Sequence, residues 1–274
     1  VESVAVLAAL AGAPERREAV EKALAATGRP EAAEALAAMG AWNNAEAWAA
    51  LGEAAAPALA SRIRAGGDAR DAAFRAAGWA RPAALVPELA RLLPRAATRE
   101  DAARALRAIG GQKATEALAL AASGTDDAVT AALRSPEGRA ALEKRMLDAR
   151  VKPLDRGRAA RTLGLLGDAE AVAALERALV APEVRAEAVA ALGAIGSDKA
   201  VPSLAALLGD RKSRSAAASA LARIGSPDAI PALAAAARDR SFSDEAVRAI
   251  AAIESPRSVP FLLDALANRE TAVL

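Results

Sequence analysis

Three side chains that carry much of enzyme chemistry are missing from this sequence: cysteine, histidine and tyrosine. Without cysteine the chain has no disulfide framework, no thiolate zinc site and no thiol nucleophile. Without histidine and tyrosine it lacks the usual general base near neutral pH, the commonest transition-metal ligand and a phenol acid. We therefore expect a protein that is not an enzyme and that holds neither a metal nor a cofactor.

Long apolar runs and blocks of one charge are also missing. The longest uncharged stretch, residues 3–14, is far shorter than the roughly 20 residues of a membrane-spanning helix. The 36 basic and 34 acidic residues nearly cancel, and the two signs are interspersed along the chain. Although the pI is about 9.3, the sequence has no extended basic track, so nucleic acid is not the expected partner. Because no apolar run is long enough, no transmembrane segment is expected either.

Aromatic residues make up only 2% of the chain, whereas 54% of it is hydrophobic and much of that is alanine. Alanine is the best helix former, and thick sheet sandwiches are rich in aromatic and β-branched residues instead. The composition therefore predicts an all-α protein of closely packed short helices.

The clearest pattern in the sequence is a unit that recurs every 29 residues without gaps, with copies beginning at Arg185, Arg214 and Ser243. Each copy contains a first helix, a turn, and a second helix with proline in its first turn, which is the expected punctuation of a helical hairpin. The turn residues are Gly196, Gly225 and Glu254, and the prolines are Pro202, Pro231 and Pro260.

Apolar residues fall at helical spacing on both helices of each copy. Leu192 and Ile195 lie four and one residues before their turn, and Val201 and Leu204 lie five and eight residues after it. The other two copies hold Leu, Ile or Val at the same positions. Such stripes mark buried helix faces, so each hairpin has an apolar seam that it must cover with a neighbouring hairpin.

Weaker copies extend the pattern towards the N-terminus. The predicted turns lie near residues 28, 52, 78, 110, 134, 167, 196, 225 and 254. The sequence thus predicts about nine helical hairpins in one array over residues 1–274, with regular 29-residue repeats from about 155 to 267. Partial repeats are expected at residues 1–11 and 268–274, the latter opening another first helix, so we expect the chain to be part of something longer.

The first helix reads R-x-x-A-[AV]-x-A-L-x-x-I-G and the segment after it A-[VI]-P-x-L. This pattern resembles HEAT repeats, specifically the short bacterial subtype named for phycobilisome lyases. The resemblance implies a right-handed α-α superhelix, a HEAT-repeat solenoid. It also implies a non-catalytic scaffold that binds a partner protein or peptide on a concave face lined by the second helices.

Two alternatives to a scaffold stay open. Similar families include bilin lyases, which handle tetrapyrrole chromophores, and alkylpurine DNA glycosylases, which hold damaged DNA in a basic, tryptophan-bearing concavity. A glycosylase would need a carboxylate and tryptophans on a cationic face, whereas the charge here is balanced and two of the three tryptophans are predicted in turns. The chemistry of bilin lyases leaves no short sequence motif that can be matched here, so the residues do not exclude this alternative.

Three aromatic residues are the candidate partner contacts: Trp42, Trp79 and Phe242. Trp42 and Trp79 fall at predicted turns outside the apolar template, and Phe242 lies just before a first helix. Trp48 and Phe74, by contrast, lie four residues before Gly52 and Gly78 and are predicted to be core.

Arginine opens the first helix in five repeats, at Arg17, Arg99, Arg156, Arg185 and Arg214. A row of arginines could bind anions. We favour a structural ladder, in which each arginine pairs with an acid near the preceding helix end, as Asp210 could with Arg214.

Two acid pairs, Asp126 with Asp127 and Asp168 with Glu170, fall at helix starts. Such pairs could hold a cation or perform acid–base chemistry. The more economical interpretation is that they cap helix N-termini, where carboxylates accept hydrogen bonds from free amides.

Overall fold

The structure is a computed structural model that describes residues 2–10, 16–67, 69–125 and 127–271. Within these ranges every regular element is a helix and none is a strand. The all-α prediction is therefore confirmed. The first ten α-helices are α1 (Glu2–Leu10), α2 (Arg17–Ala26), α3 (Pro30–Ala38), α4 (Ala45–Leu51), α5 (Ala56–Ala65), α6 (Ala69–Ala80), α7 (Val86–Ala90), α8 (Ala96–Ile109), α9 (Gly111–Ala121) and α10 (Ala128–Ala132).

Nine further helices follow in the described part of the chain. They are α11 (Pro136–Leu147), α12 (Pro153–Leu166), α13 (Val172–Ala178), α14 (Pro182–Ile195), α15 (Val201–Ala206), α16 (Arg214–Ile224), α17 (Ile230–Ala236), α18 (Ser243–Ala252) and α19 (Val259–Thr271).

The chain divides into two compact units. Unit 1 comprises residues 1–121 and 127–138, and unit 2 comprises residues 122–126 and 139–274. In unit 1 the hairpins are α2 with α3, α4 with α5, α6 with α7, and α8 with α9. In unit 2 they are α12 with α13, α14 with α15, α16 with α17, and α18 with α19. Together with α10 and α11, these are the predicted nine pairs.

The turns of unit 2 follow from the glycines that the repeat supplies. Helices α12, α14 and α16 end at Gly167, Gly196 and Gly225, each in the left-handed region with φ between 69° and 72°. Glycine adopts this conformation without the steric cost that a Cβ would add. One 3-10 turn after each glycine then leads into the second helix.

Most positions of the predicted apolar stripes form the core, but the prediction is wrong for Val259 of the last second helix, which is 50% exposed. Leu192 and Leu221 on first helices, and Leu204 and Leu233 on second helices, are completely buried. First helices pack on the first helix of the next hairpin, as α12 does on α14, and second helices pack on the first helix that follows them, as α13 does on α14. Trp48 and Phe74 are buried as well, which confirms that they belong to the core.

The predicted turn at Gly78 is wrong. Helix α6 continues to Ala80, and the chain turns at Arg81, which has a φ of 52°. Gly78 is therefore a residue of the helix, and so is Trp79. Gly78 lies three residues before the turn residue Arg81, just as Gly164 lies three residues before Gly167 and Gly193 three before Gly196. All three of these helical glycines occupy the helix face that meets the next first helix.

The end of the chain also differs from the sequence-based expectation. Residues 268–271 continue helix α19 instead of opening a new first helix, because no glycine or proline interrupts the sequence after Pro260. Residues 1, 11 and 272–274 of the predicted partial repeats lie outside the described residues. At the other end, α1 packs against α2 and α3.

Candidate binding site between helices α6 and α8

The longer helix α6 brings Trp79 to an outward-facing position. Trp79 lies two residues before the turn at Arg81, where the equivalent residues of unit 2 are Leu165, Ala194 and Arg223. Leu165 and Arg223 are exposed, and the Trp79 side chain is half-buried. Trp79 thus keeps the surface position that made it a candidate contact, although it is not in a turn.

Helices α6 and α8 approach less closely at Gly78 than α12 and α14 do at Gly164. A Cβ added to Gly164 would stand 2.8 Å from the Cα of Ala191, so α12 and α14 approach backbone to backbone. A Cβ added to Gly78 would meet the Cβ of Ala108 at 3.3 Å and no other described atom within 4 Å. A cavity of about 350 Å³ opens beside this point.

The cavity has an apolar floor and a charged rim. Phe74, Ala105 and Ala108 form the floor together with Gly78 and the ring of Trp79. The rim carries Arg75, Arg81, Asp101 and Arg104.

Two of the three rim arginines have no ionic partner of their own. Arg104 donates hydrogen bonds to the carboxylates of Glu100, at 2.6 Å, and Asp101, at 3.2 Å. Arg75 and Arg81 are exposed, and neither side chain makes a hydrogen bond or ion pair with any residue that the structure describes. The rim therefore offers two guanidinium groups that can bind an anion without breaking an existing contact.

Arg81 has a strained backbone. Among the described residues it is the only non-glycine with a positive φ, a conformation that costs an L-residue about 1–2 kcal/mol. The segment is held in place because Glu53 accepts hydrogen bonds from the amides of Ala83, at 2.6 Å, and Ala84, at 3.3 Å. Such strain is concentrated at binding and catalytic sites.

Trp42 lies in the predicted turn, but it also supports the core. Its ring stacks on that of Trp48, with 5.4 Å between ring centroids and planes 7° apart. Trp48 is completely buried, and its indole N–H donates to the carbonyl of Ala41 at 2.9 Å. Trp42 thus covers a core residue with one face, and its role as a partner contact stays a prediction.

The prediction that Phe242 lies at the surface is wrong. The residue is only 3% exposed, and the guanidinium of Arg214 lies over its ring, 4.7 Å from the centroid. Phe242 precedes helix α18 and is covered by this cation–π contact, so it is unavailable to a partner.

A family model for HEAT repeats matches residues 139–214 and 209–274. The C-terminal half of the chain consists of HEAT repeats. A solved structure of human deoxyhypusine hydroxylase in complex with glycerol is similar over 92% of this chain and 96% of that chain, at 22% identity and a TM-score of 0.41. No curated protein sequence matches the chain.

Arginines connect successive HEAT repeats, but not in the direction that the sequence predicted. Asp210, the expected partner of Arg214, instead binds Arg185 at 3.1 Å, and Arg214 binds Asp239 at 2.7 Å. Arg156 likewise binds Glu183 at 2.6 Å. Each arginine therefore reaches forward to a carboxylate 25 to 27 residues later in the chain.

Arginines of this set also bind carbonyl groups at helix ends. The Nε atoms of Arg156 and Arg185 donate to the carbonyls of Met146, at 2.8 Å, and Leu179, at 2.7 Å. In unit 1, Arg99 donates to Leu93 at 2.9 Å and lies 3.8 Å from Asp127. Arg17 pairs with Glu21 and donates to the carbonyl of Met39. With both ends engaged, these arginines are poorly suited to bind an external anion.

Asp127, Asp168 and Glu170, the described members of the two acid pairs, lie at helix starts, as expected. Asp127 accepts hydrogen bonds from the amides of Val129 and Thr130, and Asp168 accepts one from the amide of Glu170. Asp126 lies outside the described residues. Asp168 also binds Arg139, a residue that sequence reasoning had not singled out.

Arg139 contacts three carboxylates in unit 2. Besides Asp168 it binds Glu170 at 2.5 Å and lies 3.6 Å from Glu143. The hydrogen bond from the Glu170 amide, followed by the one from Arg139, lowers the pKa of Asp168. Burial raises the pKa of Glu143. The described residues contain no cluster of three or more acidic side chains arranged to hold a metal ion.

Sequence reasoning missed Arg75, Arg81 and the role of Gly78. A signal was present, because residues 78–81 read GWAR where the HEAT repeats at 164–167 and 193–196 read GLLG and GAIG. When Gly78 is aligned with Gly164 and Gly193, instead of with the turn glycines Gly167 and Gly196, Arg81 falls at the turn position. Among the described helices, none has both the length and the apolar composition needed to cross a membrane.

Proposed function

We propose that this chain is a non-catalytic scaffold that binds a partner protein or peptide. The observation that carries the proposal is the α6–α8 cavity, where a half-buried tryptophan lies beside two arginines without ionic partners. Tryptophan and arginine are enriched at the centres of protein interfaces, because they combine a large apolar surface with directional polar contacts.

The remaining chemistry of the chain supports binding over catalysis. The chain has no histidine, cysteine or tyrosine. Asp101, the carboxylate at the cavity rim, is bound by Arg104. A general acid or base needs a carboxyl group that is available to the substrate, whereas this one is already engaged by Arg104.

The proposal differs from the sequence-based expectation in the face that it uses. The repeat pattern favours the short bacterial HEAT subtype named for phycobilisome lyases, and with it a partner on a concave face lined by second helices. The cavity lies instead between two first helices, α6 and α8. We therefore propose that the first-helix side of unit 1 carries a partner contact.

Selection from a phage-displayed random peptide library on the immobilised chain tests the scaffold function. We expect enriched peptides to share a motif, to bind saturably as synthetic peptides in calorimetry, and to be displaced by the same peptide without a label. Mass spectrometry after incubation should recover each peptide unchanged, as a non-catalytic binder requires. Failure to enrich any peptide above the bare matrix, or recovery of a chemically altered one, would count against the proposal.

A further inference from the structure

We infer that the α6–α8 cavity binds an acidic peptide segment in which Asp or Glu side chains flank a large apolar side chain. This inference rests on the proposed scaffold function and specifies the chemistry of the partner.

The charges around the cavity favour an anionic ligand. Three arginines and one aspartate line it. Glu100 and Asp101 both bind Arg104, so this group of three arginines and two carboxylates has a net charge of +1. Arg75 and Arg81 are the two cationic groups whose charge no carboxylate of the group already binds.

A carboxylate is well matched to these two side chains. A guanidinium group can donate two parallel hydrogen bonds to a carboxylate, and such charge-assisted bonds are stronger than neutral ones. Arg75 and Arg81 each supply one group, so the segment should carry at least two acidic residues, one on either side of its apolar anchor.

The floor of the cavity favours that apolar anchor. Phe74 and Ala105 are buried, Gly78 has no side chain, and the Trp79 ring presents an aromatic surface that is partly open to solvent. A volume of about 350 Å³ is at the lower end of ligand pockets and suits one or two side chains. Nucleic acid would need a longer row of phosphate contacts to bind with useful affinity.

The backbone at Arg81 supports a binding role for its side chain. Helices α12, α14 and α16 end in glycine with φ near 70°, whereas α6 ends in arginine with φ 52°. A hydrogen bond from the Arg81 amide to the Ala77 carbonyl, at 2.9 Å, fixes the residue at the helix end. Glycine would relieve the strain, so this sequence carries arginine at the turn at a cost in stability.

Titration with the synthetic peptide EEFEE, followed by NMR of the tryptophan indole N–H groups, tests this inference. The signal of Trp79 is identified by its disappearance in the W79F variant. We expect EEFEE to shift this signal and to bind about tenfold more tightly than the neutral peptide QQFQQ, since charge-assisted hydrogen bonds are stronger than neutral ones. The peptide EEAEE should also bind more weakly than EEFEE.

Two charge reversals locate the interaction. The double variant R75E/R81E should weaken EEFEE binding by about tenfold or more and leave the affinity for QQFQQ nearly unchanged. R223E is the matched control, because Arg223 is an exposed arginine of α16 without a described ionic partner and does not line the cavity. Circular dichroism and melting temperature must show that each variant is folded.

Several outcomes would overturn the inference. Equal binding of EEFEE to the wild type and to folded R75E/R81E would contradict it. Displacement of EEFEE by a single-stranded DNA oligonucleotide, at a lower concentration than unlabelled EEFEE requires, would identify a nucleic-acid surface instead. If library-selected peptides bind the chain independently of Arg75 and Arg81, the scaffold function stands and the acidic-peptide site fails. If no peptide binds at all, both proposals fail.

Discussion

Gly193 on helix α14 lies so close to Ala220 on α16 that a Cβ added to the glycine would stand 2.8 Å from the Cα of the alanine. Gly164 and Ala191 repeat this arrangement 29 residues earlier, also at 2.8 Å. First helices of successive repeats therefore meet backbone to backbone in this part of unit 2. The cavity beside Gly78 occurs where this close approach is relaxed.

Substituting Gly193 by alanine should destabilise the protein. The new methyl group would overlap the backbone of α16, and overpacking of this kind costs about 1–3 kcal/mol. Urea denaturation of the wild type and G193A measures the difference. G209A is the control, because Gly209 has an ordinary φ and nothing within 4 Å of the added Cβ. Its stability should change by no more than about 0.5 kcal/mol, and equal losses in both variants would contradict the close-packing argument.

Substituting Arg81 by glycine should stabilise the protein while weakening its binding of EEFEE. Relief of the left-handed strain gains about 1–2 kcal/mol, and the added freedom of the unfolded chain offsets part of this, leaving roughly 0.5–1 kcal/mol. Thermal unfolding and the peptide titration measure the two effects.

The reverse change at an equivalent turn provides a matched control for R81G. In G167A, alanine replaces a glycine with φ 69° and open space around its Cβ, so only backbone strain changes. This variant should be about 1 kcal/mol less stable than the wild type. If R81G has a lower melting temperature than the wild type while G167A is destabilised as expected, the Arg81 side chain must stabilise the folded protein by more than its backbone strain costs.

Substituting Leu192 by aspartate should cost several kcal/mol and lower the helical content. Leu192 is 0% exposed, and an unpaired carboxylate at this position would lose its hydration without gaining a partner. Circular dichroism during heating measures both effects. L165D is the control, because Leu165 is 41% exposed on the outward face of α12. An unchanged melting curve for L192D would refute the assignment of the buried stripe.

Asp239 should make unfolding depend on pH in the acid range. Hydrogen bonds from the Ser241 hydroxyl and amide, followed by one from Arg214, lower its pKa from 3.8 to about 2. Because the folded-state pKa is the lower one, the stabilisation is present above about pH 4 and is lost as the pH falls towards 2. D239N lacks this contribution, so its stability should fall less steeply between pH 4 and 2.

The S241A variant separates the causes of that pKa shift. It removes the largest contribution, the hydroxyl hydrogen bond, together with the Arg214–Ser241 hydrogen bond, and leaves the Arg214–Asp239 ion pair. Its pH profile should lie between those of the wild type and D239N. Identical slopes for all three proteins would show that Asp239 titrates normally in the folded state.

Much of the fold could be predicted from local patterns. Leu192 and Leu204 lie on stripes whose helical spacing identifies them as buried, and the glycine after each first helix marks a turn. The candidate site could be predicted only in part. Trp79 was singled out because it departs from the apolar template, but the misplaced turn at Gly78 concealed Arg81 and the surplus charge beside the tryptophan.

Pairings between residues distant in sequence could not be predicted. Asp210 is four residues before Arg214 and 25 residues after Arg185, and proximity along the chain favoured the wrong partner. Phe242 looked like a surface residue because its local pattern shows no buried stripe. Arg214, which covers it, comes from the preceding repeat.

The sequence by itself determined the helical class, the hairpin unit and the need for neighbouring hairpins to stack, because these depend on the spacing of apolar residues and on the backbone freedom of glycine. Only the tertiary structure decided where two first helices touch and where they leave a cavity, and which charges remain without a partner. Those features depend on distances between helices that are far apart in sequence, which no local pattern encodes.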